Sequence, residues 1–374
     1  MTMKLYQPTC WKSFQCTASQ CSDNCCIGWE IDIDPDSYAR YQALPGDFGR
    51  QVRASIQPGE TPCFRMNGER CAMLNGENLC EIYRRLGKEG LCQICHDHPL
   101  FTDTFGTRRE TGLGLCCEEA ARLLFTQQEP LTLYATDTGE PEYPEEVEET
   151  LVEQMTALRD HLFHLLHDRT VPINLRLCQL LIEAQEAQWI WEEERWEELE
   201  RLFQSEPGRP DAVPMDTQQA VSLLQEWVTR FENFEPINDA WTALLGQCKT
   251  LLQQPEGEIL ALWQRFVEAM ADRTQEYEQL MSYFLFRYFL QCVYTGDCRM
   301  PVRLAVVSTM MIAWLDATRF WQTGQFTATD RIQAAGLYSK QMEYSEENWA
   351  GLEEALLFDQ AFEDALLQDL LCSL

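Results

Sequence analysis

The sequence is poor in basic residues and in long apolar runs. It has 29 Lys and Arg against 60 Asp and Glu, a formal net charge of −31. Such a surface repels phosphate backbones, which argues against nucleic acid as a partner. The longest apolar run, Leu304–Leu315, is far shorter than the roughly 20 residues that a membrane helix needs. Residues Met1–Gln15 lack the apolar core of a secretion signal. We therefore expect a cytoplasmic protein that is not inserted in a membrane.

Motifs of several common enzyme classes are missing. A C-x3-C-x2-C loop, typical of radical S-adenosylmethionine enzymes, is not formed, because Gly28 takes the place of the third cysteine after Cys21 and Cys25. There is no phosphate-binding G-x4-G-K-[ST] loop and no G-x-S-x-G nucleophile motif. No G-x-G follows a convincing strand, which argues against a Rossmann-type methyltransferase domain.

What the sequence does have is acidic charge, concentrated in one part of the chain. Residues 1–130 carry 13 Lys and Arg against 17 Asp and Glu, whereas residues 131–374 carry 16 against 43. An acidic surface attracts a lysine-bearing protein through long-range electrostatic steering. The alternative is that the charge only keeps the protein soluble.

Cysteines are also abundant and unevenly placed. Twelve of the 17 fall between Cys10 and Cys117. Disulfide scaffolds are typically short secreted chains, whereas clustered thiols in a reducing cytosol are typically metal ligands or redox groups. The distribution therefore favours a metal site over disulfides.

The pattern along the chain predicts a mainly α fold in two domains. Residues 1–135 show no helical periodicity and are punctuated by Gly and Pro, so we predict a loop-rich, metal-binding domain there. Asp137–Pro144 is typical of a linker, and Pro144 suits the first turn of a helix. Residues 145–374 predict an acidic, all-helical bundle.

The predicted helices follow from amphipathic periodicity. The first carries an apolar stripe, which comprises Val147, Leu151, Leu158, Leu162, Leu165 and Leu166. The others are predicted at about 172–203, 217–233, 238–254, 257–296, 300–322, 328–341 and 346–371.

Cysteine spacing gives the chemistry of the first domain. The cysteines occur as Cys16-x4-Cys21-x3-Cys25-Cys26, then as Cys71-x8-Cys80-x11-Cys92-x2-Cys95, and finally as Cys116-Cys117. A C-x2-C pair lets two thiolates reach one metal from a single turn. Four sulfur ligands suit zinc and a [4Fe–4S] cluster about equally, so spacing alone does not choose between them. Beside this pair, His96 and His98 are open to metal ligation or to hydrogen bonding within a turn.

These motifs resemble those of the flagellin lysine-N-methylase family. The first group, continued by Gly28 and Trp29, is similar to that family's CxxxxCxxxCC-x-G-W signature. The second group, with Leu86-Gly87 and Pro99, follows the family's second half, and Cys116-Cys117 falls at its closing cysteine. Further likeness lies in the helical part, in the segments Tyr283–Leu290, Val302–Val307 and Ser339–Asn348.

The resemblance implies a protein-lysine methyltransferase that acts on flagellin. It also implies S-adenosylmethionine as methyl donor and a [4Fe–4S] cluster. The implied metal ligands are Cys16, Cys21, Cys25, Cys26, Cys71, Cys80, Cys92, Cys95, Cys116 and Cys117. The chain departs from the family at His98-Pro99-Leu100, where an aromatic-Pro-Arg is common, so no role is carried over for that arginine.

Polar residues in the matched helical segments are the candidates for the reaction. Tyr288, Glu343 and Arg287 are predicted to be catalytic, and Tyr283 and Asn348 to bind the methyl donor. Carboxylates and tyrosines orient an amine and a sulfonium charge, and aromatic faces stabilise cations. The alternative for each of them is pairing or capping within the helices.

Two other functions remain open at this point. The cysteine signature by itself indicates only that metal is chelated, so a non-enzymatic zinc- or iron-binding protein fits it. An adaptor whose acidic helices hold a basic partner fits the charge. Methyl transfer by purified protein separates both of these from the enzyme.

Overall fold

The computed structural model describes residues 2–141, 147–208 and 212–373. In these ranges the chain is mainly helical and carries a few small β-sheets. The strands are β1 Thr2–Pro8, β2 Ile56–Gln57, β3 Cys63–Phe64, β4 Met66–Asn67, β5 Arg70–Cys71, β6 Leu100–Phe105, β7 Arg108–Leu113 and β8 Leu133–Pro141. The helices are α1 Pro35–Ala43, α2 Gly46–Ala54, α3 Glu81–Leu86, α4 Gln93–Asp97, α5 Glu118–Phe125, α6 Glu149–Leu166, α7 Ile173–Glu192, α8 Leu199–Gln204, α9 Thr217–Glu232, α10 Asp239–Leu252, α11 Glu256–Ala269, α12 Gln275–Tyr288, α13 Cys292–Thr295, α14 Arg299–Thr323, α15 Ala328–Glu343, α16 Glu346–Phe358 and α17 Asp364–Ser373.

The largest sheet joins the start of the chain to its middle. Its strand order is β6-β7-β1-β8, with β1 parallel to β7 and antiparallel to β8. Leu5 lies opposite Arg109 on one side and opposite Thr136 on the other. β6 and β7 form a hairpin whose turn contains Gly106 with a φ of +57°, a backbone conformation that costs glycine little. The sheet therefore depends on pairings between distant parts of the sequence.

This sheet was not predicted, and the linker prediction is wrong in part. β8 occupies residues 133–141, so the segment from Asp137 to Pro141 is strand and not linker. β1 alternates weakly and is half polar, and its partners are far away in the sequence, so local periodicity gave no sign of it. Pro144 lies outside the described residues. The two domain ranges, 1–135 and 145–374, stay a prediction.

Buried apolar residues of the described chain form two clusters. The small core consists of Ile31, Ile33, Tyr41, Val52, Ile56, Phe64, Cys71, Met73, Ile82 and Cys92. The large core runs through the helices and takes in Trp11, Phe105 and Leu113 from the sheet region. The sheet thus packs on the helices, while the segment between the first cysteines and α4 has a core of its own.

The helical prediction for the later part of the chain is confirmed, but three long predicted helices are interrupted. The segment 172–203 divides into α7 and α8, with Glu194 between them at a φ of +54°. The segment 257–296 divides into α11, α12 and α13, and the segment 346–371 into α16 and α17. Before the last of these helices, the Asp359 carboxylate accepts a hydrogen bond from the backbone N–H of Ala361. Such local bonds compete with the helical hydrogen bonds.

α14 is the one helix in the described ranges that is long and apolar enough to cross a membrane by length and composition. Its most apolar stretch is 94% buried within the fold. It packs against α7, α10, α12, α15 and α16. The core helix of a globular protein has the same properties, so α14 is weak evidence for a membrane span, and the absence of membrane insertion stays a prediction.

A buried ion pair ties the sheet to the helices. Arg159 in α6 donates from Nη1 and Nη2 to the two carboxylate oxygens of Glu110 in β7, at 2.7 and 2.5 Å. The side chains of Arg159 and Glu110 are 0% and 3% exposed. Burial raises the pKa of Glu110, but Arg159 and Arg108 outweigh it, so the pKa is lowered and the carboxylate is charged.

We expect Glu110→Gln to destabilise the protein by about 3–5 kcal/mol, because it leaves the buried Arg159 guanidinium without a counter-ion. Glu119→Gln is the matched control. It removes the carboxylate that pairs with the half-exposed Arg122, and surface pairs are worth about 0–1 kcal/mol. Chemical denaturation measures both free energies of unfolding. Equal losses in the two variants would show that the buried pair does not tie the sheet to the helices.

Candidate functional site

Four of the five polar residues singled out in the helical part meet around one carboxylate. The hydroxyls of Tyr283 and Tyr288 both donate to Glu343 Oε1, at 2.8 and 2.7 Å. Arg287 Nη1 lies 3.1 Å from the same oxygen and donates to the hydroxyl oxygen of Tyr283 at 2.6 Å. Tyr283 and Arg287 are one turn apart on α12, and Glu343 ends α15. We call these four residues the seam network.

The second oxygen of Glu343 is left over. The side chain is 0% exposed, and Oε2 has no hydrogen-bond partner within the described residues. An unpaired buried carboxylate oxygen is costly, and such atoms are rare in folded proteins unless they serve a ligand, a water or a reaction. The seam network therefore offers one free acceptor in a desolvated position.

Aromatic rings surround the guanidinium of Arg287. Its carbon lies 4.5 Å from the ring centre of Phe101, 5.2 Å from Tyr288, 5.5 Å from Tyr344 and 6.0 Å from Tyr283. Rings at these distances attract cations through their π faces, more strongly where water is excluded. The site combines a carboxylate with rings that enclose a cation, the guanidinium of Arg287, and we call these rings the aromatic wall.

Burial and the charge of Glu343 together decide the protonation of this site. Burial raises the pKa values of Tyr283 and Tyr288 well above the usual value, so both hydroxyls keep their protons and donate. Burial acts to lower the pKa of Arg287, but the charge of Glu343 outweighs it, and that pKa is raised well above the usual value. Arg287 is therefore always a cation.

Residues from the cysteine-rich part complete the surroundings. The Tyr344 hydroxyl and the Cys116 thiol are hydrogen-bonded, and burial raises the pKa of that thiol. A Cβ on Gly114 would lie 2.1 Å from the Tyr344 hydroxyl oxygen, so glycine is needed there. The Tyr344 ring lies 5.4 Å from Trp29, and the His98 ring lies 5.7 Å from Trp29. The candidate site is thus built from both parts of the chain.

Sequence reasoning missed some of these neighbours. Tyr344 follows Glu343 directly, and Trp29 belongs to the first cysteine motif, so both carried a signal. Phe101 carried none, because it is one apolar residue in an unpredicted strand. Only the tertiary contact between β6 and α12 brings its ring over Arg287.

Asn348 lies apart from the seam network. Its Oδ1 accepts from the backbone N–H of Glu235, and its Nδ2 donates to the carbonyl oxygens of Glu235 and Gln341, all at 2.8–2.9 Å. These bonds tie the first turn of α16 to α15 and to the segment after α9. Its predicted role in binding the methyl donor stays a prediction.

Five cysteines share the small core. Cys71 and Cys92 are buried in it, and Cys26, Cys80 and Cys95 pack against it. The backbone brings them together, since the N–H of Cys71 donates to the carbonyl of Cys26 at 2.9 Å. Residues that are far apart in the sequence thereby place their sulfur atoms in one region.

Two thiol pairs in this region are hydrogen-bonded. In the pair of Cys25 and Cys26, the bond lowers the pKa of Cys25 to about 7 and raises that of Cys26. In the pair of Cys92 and Cys95, the bond lowers the pKa of Cys92 and raises that of Cys95. One thiol of each pair is therefore favoured as a thiolate, the form that binds metal.

The other predicted ligands lie around this region. Burial raises the pKa values of Cys21 and Cys117, and nearby Cys25 raises both further. Cys16 is exposed, and Cys116 is bonded to Tyr344. The roles of all ten predicted cysteine ligands, these four included, stay predictions.

The thiols of this region can be compared with the ligands that metal sites require. Among the described residues, no three His, Cys, Asp or Glu side chains converge on a position for a single ion. A tetrahedral zinc site needs sulfur atoms about 2.3 Å from the ion. Several thiols on one small core, with thiolate favoured in two pairs, provide the soft donors that iron–sulfur clusters use. The residues present fit such a group chemically.

Comparison with known proteins identifies the class to which this chain belongs. Residues 159–368 match the FliB lysine N-methylase C-terminal domain. This range includes the whole seam network, from Tyr283 to Glu343. No solved structure matches the chain.

Three curated relatives are similar over a shorter stretch. The flagellar biosynthetic protein FliU of Salmonella muenchen is 25% identical over 136 residues, which are 34% of this chain and 80% of that protein. The lysine-N-methylases of Salmonella typhimurium and Salmonella choleraesuis are each 24% identical over 136 residues, 34% of this chain and 34% of theirs. The matched stretch thus spans about a third of the length of these two enzymes. The chain belongs to the FliB lysine N-methylase family.

Proposed function

We propose that this protein transfers methyl groups from S-adenosylmethionine to lysine side chains of a flagellar protein, flagellin. The observation that carries the proposal is the buried, unpaired Glu343 Oε2 beside an aromatic wall, inside the range that matches the FliB domain. The sulfonium of the methyl donor is a cation, and the lysine amine becomes a cation when it is methylated. Carboxylates and aromatic rings stabilise both charges. A cytoplasmic setting, which keeps thiols reduced, is part of the proposal.

The reaction requires a neutral amine aligned with the methyl carbon. As the bond from nitrogen to carbon forms, the bond from carbon to sulfur breaks and S-adenosylhomocysteine leaves; the resulting methylammonium then releases one proton to solvent. In this proposal, Glu343 Oε2, which has no other hydrogen-bond partner among the described residues, accepts a hydrogen bond from that amine. Tyr283, Tyr288 and Arg287 fix the carboxylate from its other oxygen. Exclusion of water strengthens each of these interactions.

Lysine is protonated at neutral pH, so the site must favour the neutral amine. A desolvated position does so, because burial disfavours the charged form of an amine. The negative charge of Glu343 favours the ammonium form, but the positive charge of Arg287, 3.1 Å from that carboxylate, offsets it. The aromatic wall then stabilises the positive charge as it passes from sulfur to the methylated nitrogen.

The cysteine-rich part would hold a [4Fe–4S] cluster in this proposal. Its ligands come from the thiols of the small core and from their neighbour, a set formed by Cys25, Cys26, Cys71, Cys80, Cys92 and Cys95. When bound, such a cluster exchanges single electrons and holds together the short segments that carry its ligands.

The test is methyl transfer by purified protein. Anaerobically prepared, cluster-loaded protein is incubated with flagellin and S-adenosylmethionine, and intact masses are measured. We expect increments of about 14 Da on lysine, one for each methyl group that replaces hydrogen. A reaction without S-adenosylmethionine is the control. Unmodified flagellin would contradict the proposed methyltransferase function and favour a metal-binding adaptor.

The acidic helices are expected to bring the substrate to the site. Residues 131–374 carry 43 acidic against 16 basic residues, and such a surface accelerates encounter with a lysine-bearing protein. Salt screens this attraction, because the Debye length falls from about 30 Å at 0.01 M to about 8 Å at 0.15 M.

We therefore expect initial methylation rates at subsaturating flagellin to fall as the salt concentration rises. The rate at saturating flagellin should change much less, since encounter is then no longer limiting. Iron content, measured at each salt concentration, controls for loss of the cluster. Rates that are flat or rising across the series would show that the acidic surface serves solubility only.

A further inference from the structure

Lys340 is a lysine buried where the helices meet the first cysteine loop, residues 16–26. It lies on α15, three residues before Glu343, and its side chain is 2% exposed. Its Nζ donates to Asp23 Oδ1 at 2.6 Å and lies 5.2 Å from the ring centre of Trp29. A buried ammonium is costly, and one partly exposed carboxylate and one ring offset that cost only in part. Stability alone therefore does not explain why a lysine occupies this buried position.

The loop also has contacts that do not involve Lys340. Glu118 Oε2 accepts hydrogen bonds from the backbone N–H groups of Ser22 and Asp23, at 2.7 and 3.1 Å, and from the Ser22 hydroxyl at 2.9 Å. These three bonds hold the loop against the start of α5. Lys340 adds to these bonds a positively charged group, which meets the loop at Asp23.

That charge reaches a predicted ligand. Cys25 is two residues from Asp23, the ion-pair partner of Lys340, and its carbonyl oxygen accepts a hydrogen bond at 2.9 Å from Nε1 of Trp29, the ring over which Lys340 lies. Cys25 is followed directly by Cys26, which packs against the small core. Cys25 therefore connects the loop that Lys340 contacts to the thiols of that core.

We propose that Lys340 is a positioning residue that raises the cluster's reduction potential through its charge beside Cys25. This inference rests on the cluster of the proposed function. Reduction adds one electron, supplied in the measurement by dithionite, without making or breaking a bond. The reduced cluster carries one more negative charge than the oxidised cluster. A fixed positive charge in a poorly solvated place stabilises the reduced state more, so the potential rises. Asp23, with the opposite charge, acts in the opposite direction.

The experiment is a redox titration of the full chain, purified anaerobically with its cluster and followed by electron paramagnetic resonance. Lys340→Leu is expected to shift the midpoint potential to more negative values, and Lys340→Arg to stay close to the unsubstituted protein. Asp23→Asn is expected to shift it to more positive values. Lys249→Leu is the matched control, because that lysine is half-exposed on α10 and paired with Glu232. Its potential should not change.

Iron and sulfide are measured for every variant. A loaded Lys340→Leu protein with an unchanged potential would overturn the inference. Shifts of the same sign in Lys340→Leu and Asp23→Asn would overturn it too, since a purely structural role predicts similar effects from both. If Lys340→Leu fails to bind the cluster, the inference is judged on the other two variants. It then requires a more positive potential in Asp23→Asn and an unchanged potential in Lys340→Arg. Absence of iron and sulfide from the unsubstituted protein refutes the cluster itself, and with it this inference, whereas methyl transfer is judged by its own assay.

Discussion

Glu343→Gln is expected to reduce the rate of lysine methylation by about 100-fold or more. In the proposed function, the substitution would remove the negative charge that faces the reacting amine, and losses of one preorganised electrostatic group at an active site are of that size. It also leaves Arg287 without its counter-ion, since the distance between Arg287 Nη1 and Glu343 Oε1 is 3.1 Å. Turnover is measured by mass spectrometry on flagellin, with iron content measured on the same protein.

A stability effect has to be separated from a catalytic one. Glu276→Gln provides the control, because Glu276 Oε2 lies 3.1 Å from the buried Arg331 Nε, outside the seam network. It should cost comparable stability and leave turnover per folded molecule unchanged. Tyr288→Phe removes one hydrogen bond to Glu343 and should slow the reaction by about 10-fold. If Glu343→Gln and Glu276→Gln were equally active, the seam network would be structural.

Cys92→Ser and Cys95→Ser are each expected to lose most of the bound iron and sulfide. Cys92 belongs to the small core, Cys95 packs against it, and the thiols of the pair are hydrogen-bonded. The elements around this core are short, so metal binding would contribute directly to its folding. Serine supplies a harder oxygen donor in place of the soft sulfur. Loss of metal should therefore come with loss of solubility.

The matched control is Cys178→Ser. Cys178 is buried in α7 with its Sγ 3.9 Å from that of Cys372, among helices and away from the small core. Its replacement should leave iron and sulfide content as they are. Equal metal loss from Cys178→Ser and Cys92→Ser would contradict the assignment of the cluster to the small core. Stoichiometric zinc without iron or sulfide in the unsubstituted protein would show that the bound metal is zinc and not an iron–sulfur cluster.

The helical part shows how much local pattern can predict. Apolar stripes placed α6, α9, α10, α14 and α15 within a few residues of their observed bounds, because a helix that packs on a core needs apolar residues at every third or fourth position. The same apolar patterns continue across the breaks inside the three longer predicted helices, so periodicity did not reveal those breaks. Those breaks depend on single caps such as Asp359, which add little to an averaged periodicity.

The candidate site divides in the same way. The residue types at Tyr283, Arg287, Tyr288 and Glu343 identified them as candidates, but nothing local fixed that all four would meet at one carboxylate oxygen. α12 and α15 are joined in the sequence through α14, and they approach because of packing around that central helix. Asn348, chosen by the same reasoning, bonds instead to backbone groups of Glu235 and Gln341.

By itself, the sequence determined the acidic balance, the clustering of the thiols and the helical nature of the later part, because these follow from composition and from periodicity over a few turns. Only the tertiary structure decided the sheet of β1, β6, β7 and β8, the orphaned oxygen of Glu343 and the burial of Lys340 beside Asp23. Each of these depends on contacts between segments far apart in the chain. Local preference carries no information about which distant partner a residue will meet.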